Sequence, residues 1–243
     1  MAGGAEYIDT MLPAWLQRWT PEPPARCAVC GAWPARPVCE GCAACFGQAV
    51  HRCGRCALPL PAGVQTCGSC LREPPPLDAC LAAVPYAYPW SGLVARFKFS
   101  GQPGWAAVFA RRMAAIPGFA EELRQADMVL PVPLAQRRLA DRGFNQALLL
   151  ARALDRGRTD ARLLLRLRET GSQTALDRKA RQANVGGAFA VDPLRVQELR
   201  DAAVLLVDDV MASGASLHTA ARALREAGAR RVAAVVLART EAG

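Results

Sequence analysis

The stretch Val204-Leu205-Leu206-Val207-Asp208-Asp209-Val210-Met211-Ala212-Ser213-Gly214-Ala215-Ser216 constrains the fold more than any other part of the chain. Four apolar residues of strand character run into two adjacent carboxylates, and a loop of small residues with two hydroxyls follows. Beyond it Leu217, Ala220, Ala221 and Leu224 recur at i, i+3, i+4 and i+7, the spacing of one face of a helix over 215–227. A buried strand that ends in acids and turns into a helix N-terminus builds a compact site. Backbone N–H groups and hydroxyls of such a loop can cradle a phosphate. The acids are then within reach of hydroxyls or of a Mg²⁺ ion belonging to the same ligand.

Other strands also end in acids. A Walker B strand does, but it needs a partner loop with Gly-Lys-Ser/Thr. The two lysines here are Lys98 after Phe97 and Lys179 after Arg178, so no Gly-Lys pair exists. A receiver domain carries paired acids near its start, without a Ser-Gly-Ala-Ser loop behind them. The bland alternative is a buried strand whose end is acidic because solvent reaches it.

Eight of the ten cysteines form four Cys-x-x-Cys knuckles, Cys27/Cys30, Cys39/Cys42, Cys53/Cys56 and Cys67/Cys70. Each knuckle presents two thiolates to one tetrahedral ion, and two knuckles complete a four-cysteine site. The spacing suits two short zinc ribbons in sequence, holding two structural Zn²⁺. Disulfides are the alternative, but Met1 to Thr20 has no basic and apolar leader pattern that would send the chain to an oxidising compartment. The expected location is the cytoplasm. Cys42-x-x-Cys45 is a competing register for one knuckle. Cys80 stands outside the pattern as a small buried apolar residue, and His51 is a spare ligand that four cysteine pairs do not need.

No apolar run approaches the 18 residues of a membrane span, so no membrane insertion is expected. Charge is unevenly placed. Residues 1–80 hold six arginines and six acids, so the net +9 belongs to residues 81–243, and 131–185 alone hold 12 basic against 5 acidic residues. A basic patch beside an acid pair suits a polyanion such as a pyrophosphate or a nucleic-acid strand. A solvated arginine-rich face is the other reading.

Residues 1–24 read as a lead segment with Trp15 and Trp19, 25–73 as the double ribbon, and Pro74-Pro75-Pro76 as a stiff linker. The ribbon has too few large apolar residues for a core of its own, so metal would supply much of its folding energy. From 77 to 243 strands and helices alternate. Strands are expected at Ala79–Tyr88, Met128–Val132, Leu163–Leu167, Val185–Val191, Ala203–Val207 and Val232–Ala238. Helices are expected at Ser91–Phe99, Gly104–Ala115, Ala135–Leu154 and 215–227. That alternation argues for an α/β fold with a mainly parallel sheet flanked by helices, whose ligands bind at the C-terminal strand ends.

The strand–acid–loop pattern resembles the ribose-5-phosphate loop of type I phosphoribosyltransferases, with Ser213-Gly214-Ala215-Ser216 in place of the usual Thr-Gly-x-Thr. Further stretches extend the likeness: Leu130-Pro131-Val132-Pro133-Leu134 with Arg137-Arg138 and Arg142-Gly143-Phe144-Asn145-Gln146; Arg168 to Thr174 with Arg181, Asn184-Val185 and Gly187-Ala188-Phe189; and Arg96-Phe97-Lys98-Phe99. Together with the knuckles, they resemble the ComF family, a double zinc ribbon followed by a type I phosphoribosyltransferase domain.

The resemblance implies binding of phosphoribosyl pyrophosphate with Mg²⁺. Asp208 and Asp209 would be catalytic and hold the ribose hydroxyls, and Val207 with Met211 to Ser216 (Met211, Ala212, Ser213, Gly214, Ala215, Ser216) would complete the ligand loop. By position after a strand end, Arg137, Arg138 and Arg142 would face the pyrophosphate or else be solvated surface, and the polar, basic stretch Thr170 to Asn184 is either a mobile closing loop or an ordinary exposed hairpin loop. Lys98 is either a phosphate contact or a solvated charge, and His218 a partly exposed helix residue. Members of the family are associated with competence and DNA uptake, which brings single-stranded DNA and other competence proteins in as partners. A non-catalytic DNA-binding protein that uses the transferase fold as scaffold or sensor is the alternative.

Overall fold

A computed structural model describes residues 24–167 and 187–241. Trp15, Trp19 and the expected closing loop with Arg168, Arg181 and Asn184 lie outside the described residues. The chain forms two compact units, one ending at Ala43 and one running from Ala44.

In the first unit the chain folds back on itself at an antiparallel bridge, Ala25 with Ala35. The knuckle between them turns because the Cys27 N–H donates to Ala32 O and the Gly31 N–H to Cys27 O, at 3.0 and 2.9 Å. Gly31 sits at φ +76°, which a residue without Cβ adopts at no steric cost. Helix α1, Glu40–Phe46, starts in this unit.

The second unit repeats that knuckle. The Cys53 N–H donates to Leu58 O and the Ala57 N–H to Cys53 O, both at 2.8 Å. Ala57, at φ 56°, takes the left-handed place that Gly31 holds in the first unit. A short helix α2, Gly68–Arg72, follows. All four cysteines of this group are buried, and they share one apolar cluster with the central sheet. The expected boundary at Pro74–Pro76 therefore does not mark an end of packing: Leu77 is fully buried, its carbonyl accepts from Arg55 Nη1 at 2.9 Å, and the Cys80 N–H donates to Gly54 O at 2.8 Å.

The sheet has four parallel strands in the order β1-β6-β5-β2: β1 Ala79–Pro85, β2 Met128–Pro131, β5 Ala203–Met211 and β6 Arg231–Arg239. The two central strands read as near-continuous Val, Leu and Ala because both faces of a parallel sheet are covered. Leu205 and Leu206 are fully buried, and each such side chain contributes about 1.5–3 kcal/mol of transfer free energy. Helices α3 (Trp90–Phe99), α4 (Trp105–Ala114), α5 (Phe119–Gln125), α6 (Gln136–Arg142), α7 (Gln146–Asp155) and α8 (Ala215–Glu226) surround it. Strands β3 (Leu164–Arg166) and β4 (Phe189–Val191) pair antiparallel in a separate ribbon.

Four expectations about elements change. The basic helix expected over Ala135–Leu154 is two helices, because Gly143 enters the left-handed region at φ +77° and the Asn145 side chain caps α7 by accepting from the Ala147 N–H at 2.9 Å. The strand expected to end at Val207 runs on to Met211, since the ladder to β6 continues through Val210 with Ala238 and Met211 with Arg239. Strand β1 stops at Pro85, short of Tyr88. Helix α5 lies where no element was expected.

Candidate functional site

The ladder between β2 and β5 ends at Pro131 with Val207, closed by the Val132 N–H donating to Val207 O at 2.9 Å. Asp208 and Asp209 are the next two residues, so both acids stand at the C-terminal edge of the sheet, one step past its neighbouring strand. Side chains of successive strand residues point to opposite faces, and the two acids accordingly have different surroundings.

Asp208 is half-buried and lines a cavity of about 50 Å³ with Val210 to Leu217. Its Oδ1 accepts the Asp209 N–H at 2.8 Å. Burial, and then the neighbouring Asp209 charge, push its carboxyl up to about 7, while Lys98 and Arg166 act in the opposite direction. Asp209 is buried and does not line that cavity. Its Oδ1 meets Lys98 Nζ at 2.9 Å, with both side chains largely out of solvent. Lys98 comes from α3, and the solvated-charge reading of it is replaced by an ion pair with the acid. Arg142 is half-buried in α6, lies 4.9 Å over the Phe99 ring, donates to Gln146 Oε1 at 3.0 Å, and feels the charges of Asp209 and Asp208. The acid pair is thus ringed by Lys98, Arg142 and Arg166. Arg137 and Arg138 lie in the first turn of α6, Arg137 exposed and Arg138 half-buried.

The loop after the acids turns at Gly214, at φ +82°. The backbone angle favours glycine, and a Cβ there, 2.5 Å from Met211 Cε and 2.9 Å from His218 Nε2, would also have to push those two side chains aside. Ser213 Oγ accepts the Ala215 N–H at 3.4 Å, and α8 begins at Ala215. The first N–H groups of a helix have no acceptor within it; Ala215, Ser216 and Leu217 line the cavity. His218 lies just behind, half-buried with Nε2 unpartnered. Burial, then Arg222 and Arg239, hold its ring down to about 4, a neutral imidazole at pH 7.

The two cysteine groups are well formed. Cys27, Cys30, Cys39 and Cys42 bring their sulfurs within 4.8 Å of one another, as do Cys53, Cys56, Cys67 and Cys70, and each group could hold a metal ion. Cys45 and His51 are in neither group; His51 Nε2 meets Val64 O at 2.7 Å, so the register runs through Cys42. The Cys39 N–H reaches Cys27 Sγ at 3.4 Å and the Cys67 N–H reaches Cys53 Sγ at 3.3 Å. Burial opposes ionisation, yet these and neighbouring N–H groups bring Cys27 down to about 6 and Cys53 to about 7, while burial pushes the Cys42, Cys56 and Cys70 thiols up. Cys80 is buried, as expected, and its thiol donates to Met211 Sδ at 3.6 Å.

Residues 139–243 match the phosphoribosyl transferase domain family. The chain is 34% identical to the DNA utilization protein YhgH of Salmonella typhimurium over 209 residues, 84% of this chain and 90% of that protein. It is 32% identical to Competence protein F of Haemophilus influenzae over 208 residues, 83% and 90% of the two chains. YhgH of Escherichia coli K12 is 31% identical over 209 residues, with 84% and 90% covered. The chain belongs to the ComF family. Its fold is accordingly a phosphoribosyltransferase domain with two four-cysteine groups of the zinc-ribbon kind near the N-terminus. Among the described residues no helix is long and apolar enough to cross a membrane.

Sequence reasoning passed over two contributors to this ComF site. Arg166, in β3, sits within the field of Asp208 and 5.2 Å over the Phe189 ring. Arg239, at the end of β6, is buried and bonds to the carbonyls that lead into the loop. An arginine at the end of an apolar strand carries no local signal that it turns inward.

Proposed function

We propose that this ComF protein binds phosphoribosyl pyrophosphate with Mg²⁺ and transfers the phosphoribosyl group to an acceptor, in the service of DNA utilization or competence, the roles its relatives' names carry. The observation that supports this best is the continuity of Asp208, the cavity over Val210 to Leu217 and the left-handed turn at Gly214, which together offer a carboxylate and helix-end N–H groups to one small anionic ligand. Asp208 would accept from a ribose hydroxyl. Asp209, freed from Lys98, would accept from the second, and Lys98 with Arg142 would then face the pyrophosphate. Mg²⁺, when bound with the ligand, neutralises charge that develops on the leaving pyrophosphate. Arg137 and Arg138 on α6 would meet its outer oxygens as guanidinium forks. The ribbons would each hold Zn²⁺, since four clustered thiolates are the donor set of a closed zinc site. A reducing cytoplasm suits free thiolates and such a ligand.

The test is calorimetry of phosphoribosyl pyrophosphate with Mg²⁺, together with pyrophosphate release against a panel of bases, nucleotides and single-stranded DNA. Asp208→Ala should weaken binding about 10- to 150-fold, the worth of one hydrogen bond to a charged group. Equal affinity in the wild type and in Asp208→Ala would overturn the assignment. A second reading, a single-stranded DNA surface, is favoured by the exposed Phe99 beneath Arg142 and the exposed Arg137 nearby in sequence. Reversing Arg137 and Arg138 to Glu should lower both DNA affinity and its salt slope.

A further inference from the structure

Arg239 is a buried guanidinium whose partners are all neutral oxygens. Nε donates to the carbonyl of Cys56 at 2.9 Å, and Nη1 faces the carbonyls of Met211 at 3.1 Å, Thr240 at 2.6 Å and Ala212. Among the described residues it has no carboxylate partner. A cation taken out of water without a counter-charge is costly, and buried arginines are ordinarily paired. One end of this guanidinium lies on a residue of the second four-cysteine group, and the other lies on the two residues that lead from β5 into the Gly214 turn. A second tie runs the same way, for Cys80, whose N–H is bound to Gly54 O inside the second knuckle, donates its thiol to Met211 Sδ. Met211 Cε in turn fills the space beside Gly214.

We infer that Arg239 is a positioning residue that clamps the loop Met211–Ser216 to the second four-cysteine group, so that the loop keeps its shape only while that group holds a metal ion. A divalent ion held by four thiolates carries a net charge of two minus, which is the missing counter-charge for Arg239. Without the ion, four sulfurs packed within 4.8 Å of one another no longer share a common centre, and the Cys56 carbonyl that fixes Nε is free to shift with its own sulfur. Solvent then competes for the guanidinium. Releasing Nη1 from Met211 O and Ala212 O frees the entry to the turn. The consequence for ligand affinity rests on the reading of this loop as the phosphate loop; the clamp itself does not.

Amide hydrogen exchange on the full chain tests this. With metal bound, wild type should protect the loop entry at Val210 and Met211, which pair with β6, and Thr240, whose N–H donates to Met211 O at 3.1 Å. Removing the metal with a chelator should speed exchange there at least tenfold while Val204 to Val207 in the sheet stay protected. Arg239→Met should show the fast loop already with metal bound, and chelation should add nothing. Arg239→Lys, which keeps the charge, should recover part of the protection. The inference is overturned if metal-bound Arg239→Met protects the loop as wild type does, or if chelation leaves the wild-type loop unchanged. Should chelation melt the sheet as well, so that Val204 to Val207 lose protection together with the loop, metal-bound Arg239→Met decides alone. Calorimetry with phosphoribosyl pyrophosphate then separates the two readings. Affinity at least tenfold weaker in Arg239→Met at unchanged metal content supports the coupling, and unchanged affinity refutes it. No binding by any variant, with the exchange pattern as expected, removes the ligand assignment and leaves the clamp standing.

Discussion

Asp208→Asn should make this protein more stable at pH 8 while weakening its ligand site. The side chain is half-buried one residue from Asp209, and burial followed by that neighbouring charge raises its carboxyl from 3.8 to about 7. The fold therefore holds the proton more tightly than the unfolded chain does. Between pH 4 and 7 the native state binds more protons, so the contribution of this group makes stability fall as pH rises through that window. Below pH 4 both states are protonated and no cost remains; above pH 7 the whole cost is present.

A shift of that size corresponds to an upper limit of about 4 kcal/mol at 1.36 kcal/mol per pKa step. Solvent access to a half-buried carboxyl and the opposing charges of Lys98 and Arg166 reduce it, and about 1–2 kcal/mol is the expected gain at pH 8. Asn keeps the oxygen that accepts the Asp209 N–H, so the substitution removes charge without stranding a donor. For a unit of this size that gain raises the melting temperature by roughly 2–8 °C. Thermal unfolding of both proteins at pH 5 and pH 8, without Mg²⁺ or ligand, reads it directly. The advantage of Asp208→Asn should nearly vanish by pH 4. An equal pH slope in the two proteins, or a loss of stability at pH 8, would show that Asp208 is an ordinary solvated acid and that the site stores no electrostatic cost.

Three other outcomes follow from the same geometry. Lys98→Met should destabilise by about 1–3 kcal/mol at pH 8, because it leaves Asp209 uncompensated beside Asp208; adding Asp209→Asn should return most of that loss, and a strictly additive double mutant in denaturant titrations would disprove the pairing. Gly214→Ala should cost about 1–3 kcal/mol, since the left-handed turn admits no Cβ without displacing Met211 and His218, and an unchanged denaturation midpoint would contradict it. Metal analysis should find two zinc equivalents. Cys27→Ser should lose one and leave the melting of the sheet in place, whereas Cys53→Ser should lose one and lower it, because that second group is part of the sheet's own core.

How much of this was visible in the sequence depends on how local each feature is. The knuckles, the apolar strands around Leu205 and Val235, and the helix with Leu217, Ala220 and Leu224 are written in contiguous residues, and the fold class follows from their alternation. The helix break at Gly143 was just as local, and Gly143 with Asn145 supplies both the stop and the next cap; a run of arginines and leucines on either side masked it. The extension of β5 to Met211 was not local. Asp208-Asp209 reads as a strand end, and only pairing with Ala238 and Arg239 carries the strand onward.

The site shows the same division more sharply. That the acids and the small-residue loop stand together at the end of one strand was legible; which charges balance one another was not. Lys98 and Asp209 meet across the fold, and Arg239 meets Cys56 from 183 positions away. The two ribbons make the point within one molecule. Cys27 and Cys53 turn through the same pair of hydrogen bonds, so the local code is the same. Yet the four sulfurs of the second group are all buried, while Cys30 is exposed and Cys39 half-exposed in the first. The difference comes from Leu58 and Leu60 packing on the sheet's core, and from Gly54 accepting the Cys80 N–H. A knuckle's metal chemistry can therefore be read from four cysteines, but whether it serves only its own ribbon or steadies a neighbouring loop is set by contacts that no short motif contains.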